Sequence, residues 1–288
     1  MALSKKKKQK TEKEPQYYTS ATNIPTYNYK VYYMKPWEKI LYFLLAFAVG
    51  AAVGYLFYGG LGKDKFGEPT LLTWILDIII SGITGLVAGK LYVPIKTKQI
   101  IAKQQRKLKL QFRDMLESLN TSLGAGKNVA DSFNAVYEDL KMQYEENAYI
   151  LKEMHVILSG MANNIEIETL LQDFGERSGL EDIESFANVF KICYRKGGNI
   201  KDTIRSTHEI LSDKMEMAED IETVVTSNKT EQKVMMIMPI GIIALIKFSS
   251  PDFAANFATA TGVISTTIAI IMFVISYFIG KAVLNIKM

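Results

Sequence analysis

The chain has 288 residues, 48% of them apolar, and a formal net charge of +4, but neither the apolar residues nor the charges are spread evenly. Its single cysteine, Cys193, excludes an intrachain disulfide framework and is compatible with a reducing compartment. Apolar residues gather toward both ends, so the chain divides into membrane-like flanks and a polar middle.

Residues 1–38 form a basic, Tyr-rich lead, with nine Lys/Arg against three Asp/Glu up to Lys39. Lys5–Lys8 and the following PQYYTSATNIPTYNYKVYYMKPW read as a flexible tail drawn to anionic lipid, with Tyr32, Tyr33 and Trp37 at the interface, rather than as a nucleic-acid arm. No signal peptide is expected, because the first apolar run begins only at Ile40.

Residues 40–62 carry no charge, 70–89 carry only Asp77, and 253–280 carry none. Each run is long enough for a bilayer core of about 30 Å at about 1.5 Å per residue. Residues 234–246 are thirteen uncharged residues, which span only if Lys247 snorkels outward and Pro239 is tolerated as a kink. The expected organisation is two spans within 39–93, a helical domain over 95–233 and two spans within 234–288. Basic residues alternate in the sense that four spans require. Only Lys63 and Lys65 separate the first two runs, whereas Lys90, Lys96, Lys98, Lys103, Arg106, Lys107 and Lys109 follow the second; SSPDFAAN has none, and Lys281 and Lys287 close the chain. The positive-inside rule therefore puts both termini and the middle domain in the cytoplasm of a multi-pass protein of the cell (inner or plasma) membrane.

Ala46, Gly50 and Gly54 stand four apart, as do Ser81, Gly85 and Gly89, a spacing that lets helix backbones approach closely. Asp77 is an acid within a span and so a candidate partner contact, near the external end where water reaches it. Pro94 is expected to kink or restart the helix that leaves the second span.

The middle domain shows only helical periodicity, as in Ile150, Leu151, Met154, Ile157, Leu158 and Met161. Its turn SLGAGKNVADSF resembles a phosphate loop only in part. Thr121 stands where the first glycine is needed, Asn128 follows Lys127 in place of Ser or Thr, and a helical pattern precedes it rather than a strand. A shift of 71 residues lays this turn over CYRKGGNIKDTI, pairing Gly126 with Gly197, Asn128 with Asn199 and Asp131 with Asp202. Apolar positions pair too: Phe112 with Ile183, Met115 with Phe186, Leu119 with Phe190, Phe133 with Ile204. The shared turn reads as a helical-hairpin corner: Gly126, and Gly197 or Gly198, ends one helix, Asn caps the next, and Asp reaches back to the cap.

Between Asp114 and Asn228 there are 22 acidic and 10 basic residues, a net of −12, which disfavours nucleic acid and suits a partner with basic loops. Glu181, Asp182 and Glu184 are the candidate contact; the same charges also serve as a solvated surface that aids solubility. From Ile200 to Met238 there is no Gly or Pro, so an unbroken helix of 39 residues would run about 58 Å toward the third span. Asn228 to Glu231 resembles a fresh capping box and marks an alternative break.

No cofactor or metal site is expected. His155 and His208 lack paired ligand spacing, Met235, Met236 and Met238 read as membrane packing, and no nucleophile, base and orienter assemble into an enzyme.

Over about 111–239, in LESLNTSLGAGKNVADSF, LLQDFGERSGLEDIESFANVFKICYRKGGNIKDTIRSTHEIL and KTEQKVMMIMP, the chain resembles the type II secretion system protein F family, inner-membrane platform proteins of secretion systems and type IV pili. With one such domain, it is similar to the shorter platform subunits of the Tad pilus machinery. The resemblance implies an all-α membrane protein: four spans and a cytoplasmic antiparallel bundle built from two related hairpins. It also implies a non-enzymatic scaffold that couples a cytoplasmic secretion ATPase to pilin-like membrane subunits and pairs with a related subunit or with itself. A regulated channel or carrier is the alternative, and a membrane-anchored enzyme a third reading.

Overall fold

The computed structural model describes residues 14–19, 22–62 and 69–284. Lys5–Lys8, Lys63, Lys65 and Lys287 lie outside the described residues. Of the described residues, 82% are helical. In chain order it runs β1 (Tyr17–Thr19), β2 (Pro25–Tyr27), α1 (Pro36–Tyr58), α2 (Leu71–Gly124), α3 (Val129–Gln143), α4 (Tyr149–Ala162), α5 (Ile167–Ser178), α6 (Glu181–Lys196), α7 (Ile200–Ser249), α8 (Pro251–Phe257) and α9 (Ala260–Leu284). Two compact units share this chain. One comprises Met1–Tyr33 with Thr97–Asp213, the other Met34–Lys96 with Lys214–Met288.

In the first unit, α4 packs on α3 and α5, and α6 packs on α5. The apolar stripes of these helices meet the end of α2, whose Phe112, Met115, Leu116 and Leu119 are fully buried. The Phe112 ring stands edge-on to Phe174 of α5 and Phe186 of α6, at 6.1 and 5.5 Å. Gly175 lets the backbones of α5 and α6 close up, since a Cβ there would meet Glu184 Cα at 3.0 Å.

The expected flexible tail is, over its described residues, folded onto this unit. β1 and β2 pair antiparallel, with Tyr17 opposite Tyr27 and Thr19 opposite Pro25, so one small hairpin joins an otherwise helical fold. Asn28 ties it together: its backbone N–H donates to Gln16 O at 2.9 Å, and its amide donates to Pro15 O at 3.1 Å. A two-stranded hairpin has little stability alone, and this one is held by a helical surface.

Among the described residues four helices are long and apolar enough to cross a membrane: α1, α2, α7 and the 260–280 part of α9. The small residues of α1 and α2 face one another. A Cβ at Gly50 would lie 2.6 Å from Ala88 Cβ, one at Gly54 would collide with Thr84 Oγ1, and one at Gly85 or Gly89 would strike Phe47 or Phe43. α2 continues through Pro94 without a restart, and α7 continues through Pro239 and through Asn228, where the alternative break does not occur.

Candidate functional site

The two glycine corners have one geometry. Gly126, at φ 84°, and Gly197, at φ 71°, adopt the left-handed conformation that closes a helix. In the first corner Gly126 N–H donates to Leu123 O at 3.1 Å and Lys127 N–H to Ser122 O at 3.4 Å; in the second, Gly198 N–H donates to Cys193 O at 2.8 Å. The longer-range bond in each corner joins the amide just past the left-handed residue to a carbonyl five residues earlier, the Schellman closure. The amides of Gly126 and Lys127 that a phosphate nest would need are therefore turned onto the carbonyls of α2. Asn128 Oδ1 then accepts from Asp131 N at 2.8 Å and its amide donates to Asp131 Oδ2 at 2.7 Å. Asn199 Oδ1 accepts from Asp202 N at 3.3 Å, and its amide donates to the Asp202 carboxylate. Asn128→Ala is expected to cost about 1 kcal/mol in chemical denaturation of the first unit, the usual worth of an N-cap; an unchanged midpoint would contradict this role.

The acidic turn at the start of α6 is divided. Asp182 is bound to Lys109 at 2.9 Å, whereas Glu181 and Glu184 are exposed. Asp77 accepts from Gly60 N at 3.0 Å, in the turn that follows α1. Lys247, expected to snorkel outward, donates to Leu56 O at 2.7 Å and Gly59 O at 3.4 Å in the same turn. Its cation thus faces the negative end of the α1 dipole, and Asp77 and Lys247 line one cavity of about 730 Å³. His155 is exposed, and His208 Nε2 stands 4.0 Å from Glu117. No group of three or more His, Cys, Asp or Glu is placed to hold a metal among the described residues.

Sequence reasoning missed the charged cluster under the hairpin. Arg177 of α5 meets Glu153 of α4 through two contacts, Nη2 to Oε2 at 2.6 Å and Nη1 to Oε1 at 2.9 Å, with 4% and 2% of these residues exposed. Arg177 Nε also donates to Asp173 at 2.8 Å, and Nη1 to Tyr27 O at 3.0 Å. Fully buried Tyr29 donates its hydroxyl to Glu153 at 2.9 Å, and its backbone N–H to Arg177 O at 2.9 Å. A signal existed: Glu153 interrupts the apolar face of Ile150, Met154 and Ile157, as Arg177 stands three residues beyond Phe174.

Burial works against the charge on Arg177, but hydrogen bonds and charges of Glu153 and Asp173 outweigh it and hold the guanidinium pKa above its usual range. Burial first, then the Glu153 charge and hydrogen bond, push the Tyr29 phenol well above its ordinary value of 10.0. Burial and then Asp114 push Tyr144 up as well, through a short contact between its hydroxyl and the Asp114 carboxylate. The folded state therefore holds the Tyr29 proton more tightly than the unfolded chain does. Its contribution is whole below about pH 10 and declines as pH rises past that value, by at most about 1.4 kcal/mol per pH unit. Urea midpoints compared at pH 8 and 10.5 should fall further for the native chain than for Tyr29→Phe; equal falls would contradict the assignment.

The four apolar helices are compatible with the class of multi-pass helical membrane proteins. No family model, no curated protein and no solved structure matches the chain.

Proposed function

We propose that the chain is an integral-membrane platform protein of a type II secretion or type IV (Tad-like) pilus assembly system, coupling a cytoplasmic secretion ATPase to movement of pilin-like subunits. The observation that carries this reading is the pair of like corners in an acidic helical segment, with two apolar helices before it and two after. Positions 71 apart are buried alike: Phe112 with Ile183, Met115 with Phe186, Leu119 with Phe190, Phe133 with Ile204 and Leu140 with Leu211 are each at most 1% exposed. That register supports a cytoplasmic antiparallel bundle made of two related hairpins, in the manner of the platform proteins that the sequence resembles. The acidic surface suits an ATPase with basic loops. On this reading the protein is a scaffold, not an enzyme, and binds no nucleic acid.

A channel or carrier has one observation in its favour, the cavity shared by Asp77 and Lys247. Both charges, however, are bonded to the backbone of the α1 turn, which suits a structural role at least as well.

The full chain in nanodiscs should capture the secretion ATPase of its own cell, and Glu181→Lys with Glu184→Lys should abolish capture. Asp182 is spared because Lys109 already holds it. Capture indifferent to both reversals would overturn this contact. For orientation, a membrane-impermeant thiol reagent should label Cys193 only after lysis; labelling in intact cells would reverse the topology.

A further inference from the structure

Two cavities of the second unit share a wall. The first, of about 730 Å³, reaches from Gly59 and Gly60 past Asp77 and Lys247 to Val53 and Ile240. The second, of about 460 Å³, is lined by the same Val53 and Ile240 and continues between α7 and α9 to Met236, Phe273 and Tyr277. Hydrogen bonds fix how these helices stand beside one another. Lys247 of α7 donates to Leu56 O at 2.7 Å, and the Tyr58 and Thr267 hydroxyls meet at 3.0 Å, so the end of α1 lies level with Lys247 and with Thr267 of α9. From that level α7 runs eleven residues to Met236 and α9 ten residues to Tyr277, roughly 15 Å in each case. Half of a bilayer core is about 15 Å. The joined cavities are therefore charged at one end, lined by apolar surface along the rest, and one leaflet deep.

We propose that these cavities hold one phospholipid with an amine headgroup, drawn from the leaflet at the α1–α2 turn, with its ammonium at Asp77, its phosphate near Lys247 and an acyl chain laid along α7 and α9. Charge decides the head. A carboxylate offers about four lone-pair sites, and Gly60 N–H takes one of those of Asp77 at 3.0 Å, so the group can also accept from a primary ammonium. Lys247 is fixed in the cavity wall by Leu56 O, Gly59 O and the ring of Phe257, whose centroid lies 5.0 Å from Nζ. Its cation therefore stays where a phosphate would lie. A zwitterion answers both charges at once, which an anionic headgroup does not. Exposed Trp74 and Tyr55 line the same end, the depth at which interfacial aromatics sit. Lys247, Ala244 and Ile240 on α7, and Leu56 and Val53 on α1, recur every three or four residues, so one face of each helix leads from head to tail.

The site requires the membrane spans and nothing of the platform role, so its test needs neither ATPase nor pilin. The full chain, stripped of lipid in detergent, would be titrated with phosphatidylethanolamine, phosphatidylcholine and phosphatidylglycerol of one acyl composition and read by native mass spectrometry. One phosphatidylethanolamine should be retained, with a Kd about tenfold below that of phosphatidylcholine, whose methylated nitrogen donates no hydrogen bond to Asp77. Asp77→Asn should erase that preference; its amide oxygen still accepts from Gly60 N–H, so the turn is kept. Ala269→Phe, which fills the apolar cavity, should lower retention of all three lipids, whereas Met272→Phe, exposed on the same helix and lining neither cavity, should not. Equal affinity for the three lipids, a preference for phosphatidylglycerol, a preference that survives Asp77→Asn, or equal effects of the two phenylalanines would each overturn the proposal. None of those results bears on ATPase capture, which tests the platform reading separately.

Discussion

Arg177→Ala is expected to destabilise the first unit by about 3–5 kcal/mol, the cost of stranding a buried charge whose partner has been removed. Glu153 is 2% exposed and would keep only the Tyr29 hydroxyl among its bonds described above. Urea denaturation of the full chain in nanodiscs, followed by amide exchange in α4 and α5, measures the loss. Changing both members, Glu153→Met with Arg177→Met, should cost less than the single change, because no charge is left in the core. A double change as costly as the single one would mean that side-chain packing, rather than charge, dominates there.

Phe112→Ala should cost a similar amount, about 3–5 kcal/mol, through the cavity left among Phe174 and Phe186. The same denaturation experiment reads it, with protection expected to fall in α5 and α6 together. Met142, 85% exposed on α3, supplies the comparison, since its replacement by alanine should stay within about 0.5 kcal/mol. Equal effects at the two positions would contradict a core centred on the end of α2.

The helices that build that core were legible because each carries its own period. Phe112, Met115, Leu116 and Leu119 announce one face of α2, and the Gly-x-Asn-x-x-Asp corners announce their caps, since a cap is a contact between near neighbours in sequence. A local signal misled at Asn228. A capping residue only offers an alternative to the helix, and inside a long helix with strong neighbours it was overruled. The N-terminal hairpin segment was illegible for the opposite reason. Its strands have three residues each, too few to show alternation, and its decisive bond joins Tyr29 to a residue 124 positions away. What the sequence did contain was a mismatch, one acid and one base set into the apolar faces of consecutive helices. Buried opposite charges predict each other, but they do not announce the tyrosine that covers them.

The coupling claim predicts a change in a partner's turnover. ATP hydrolysis by the secretion ATPase would be measured with the native chain reconstituted in nanodiscs and with the Glu181→Lys, Glu184→Lys variant. The account predicts faster hydrolysis with the native chain, none by the chain alone, and no acceleration by the variant. Hydrolysis indifferent to the native chain, or hydrolysis by the chain without the ATPase, would contradict it.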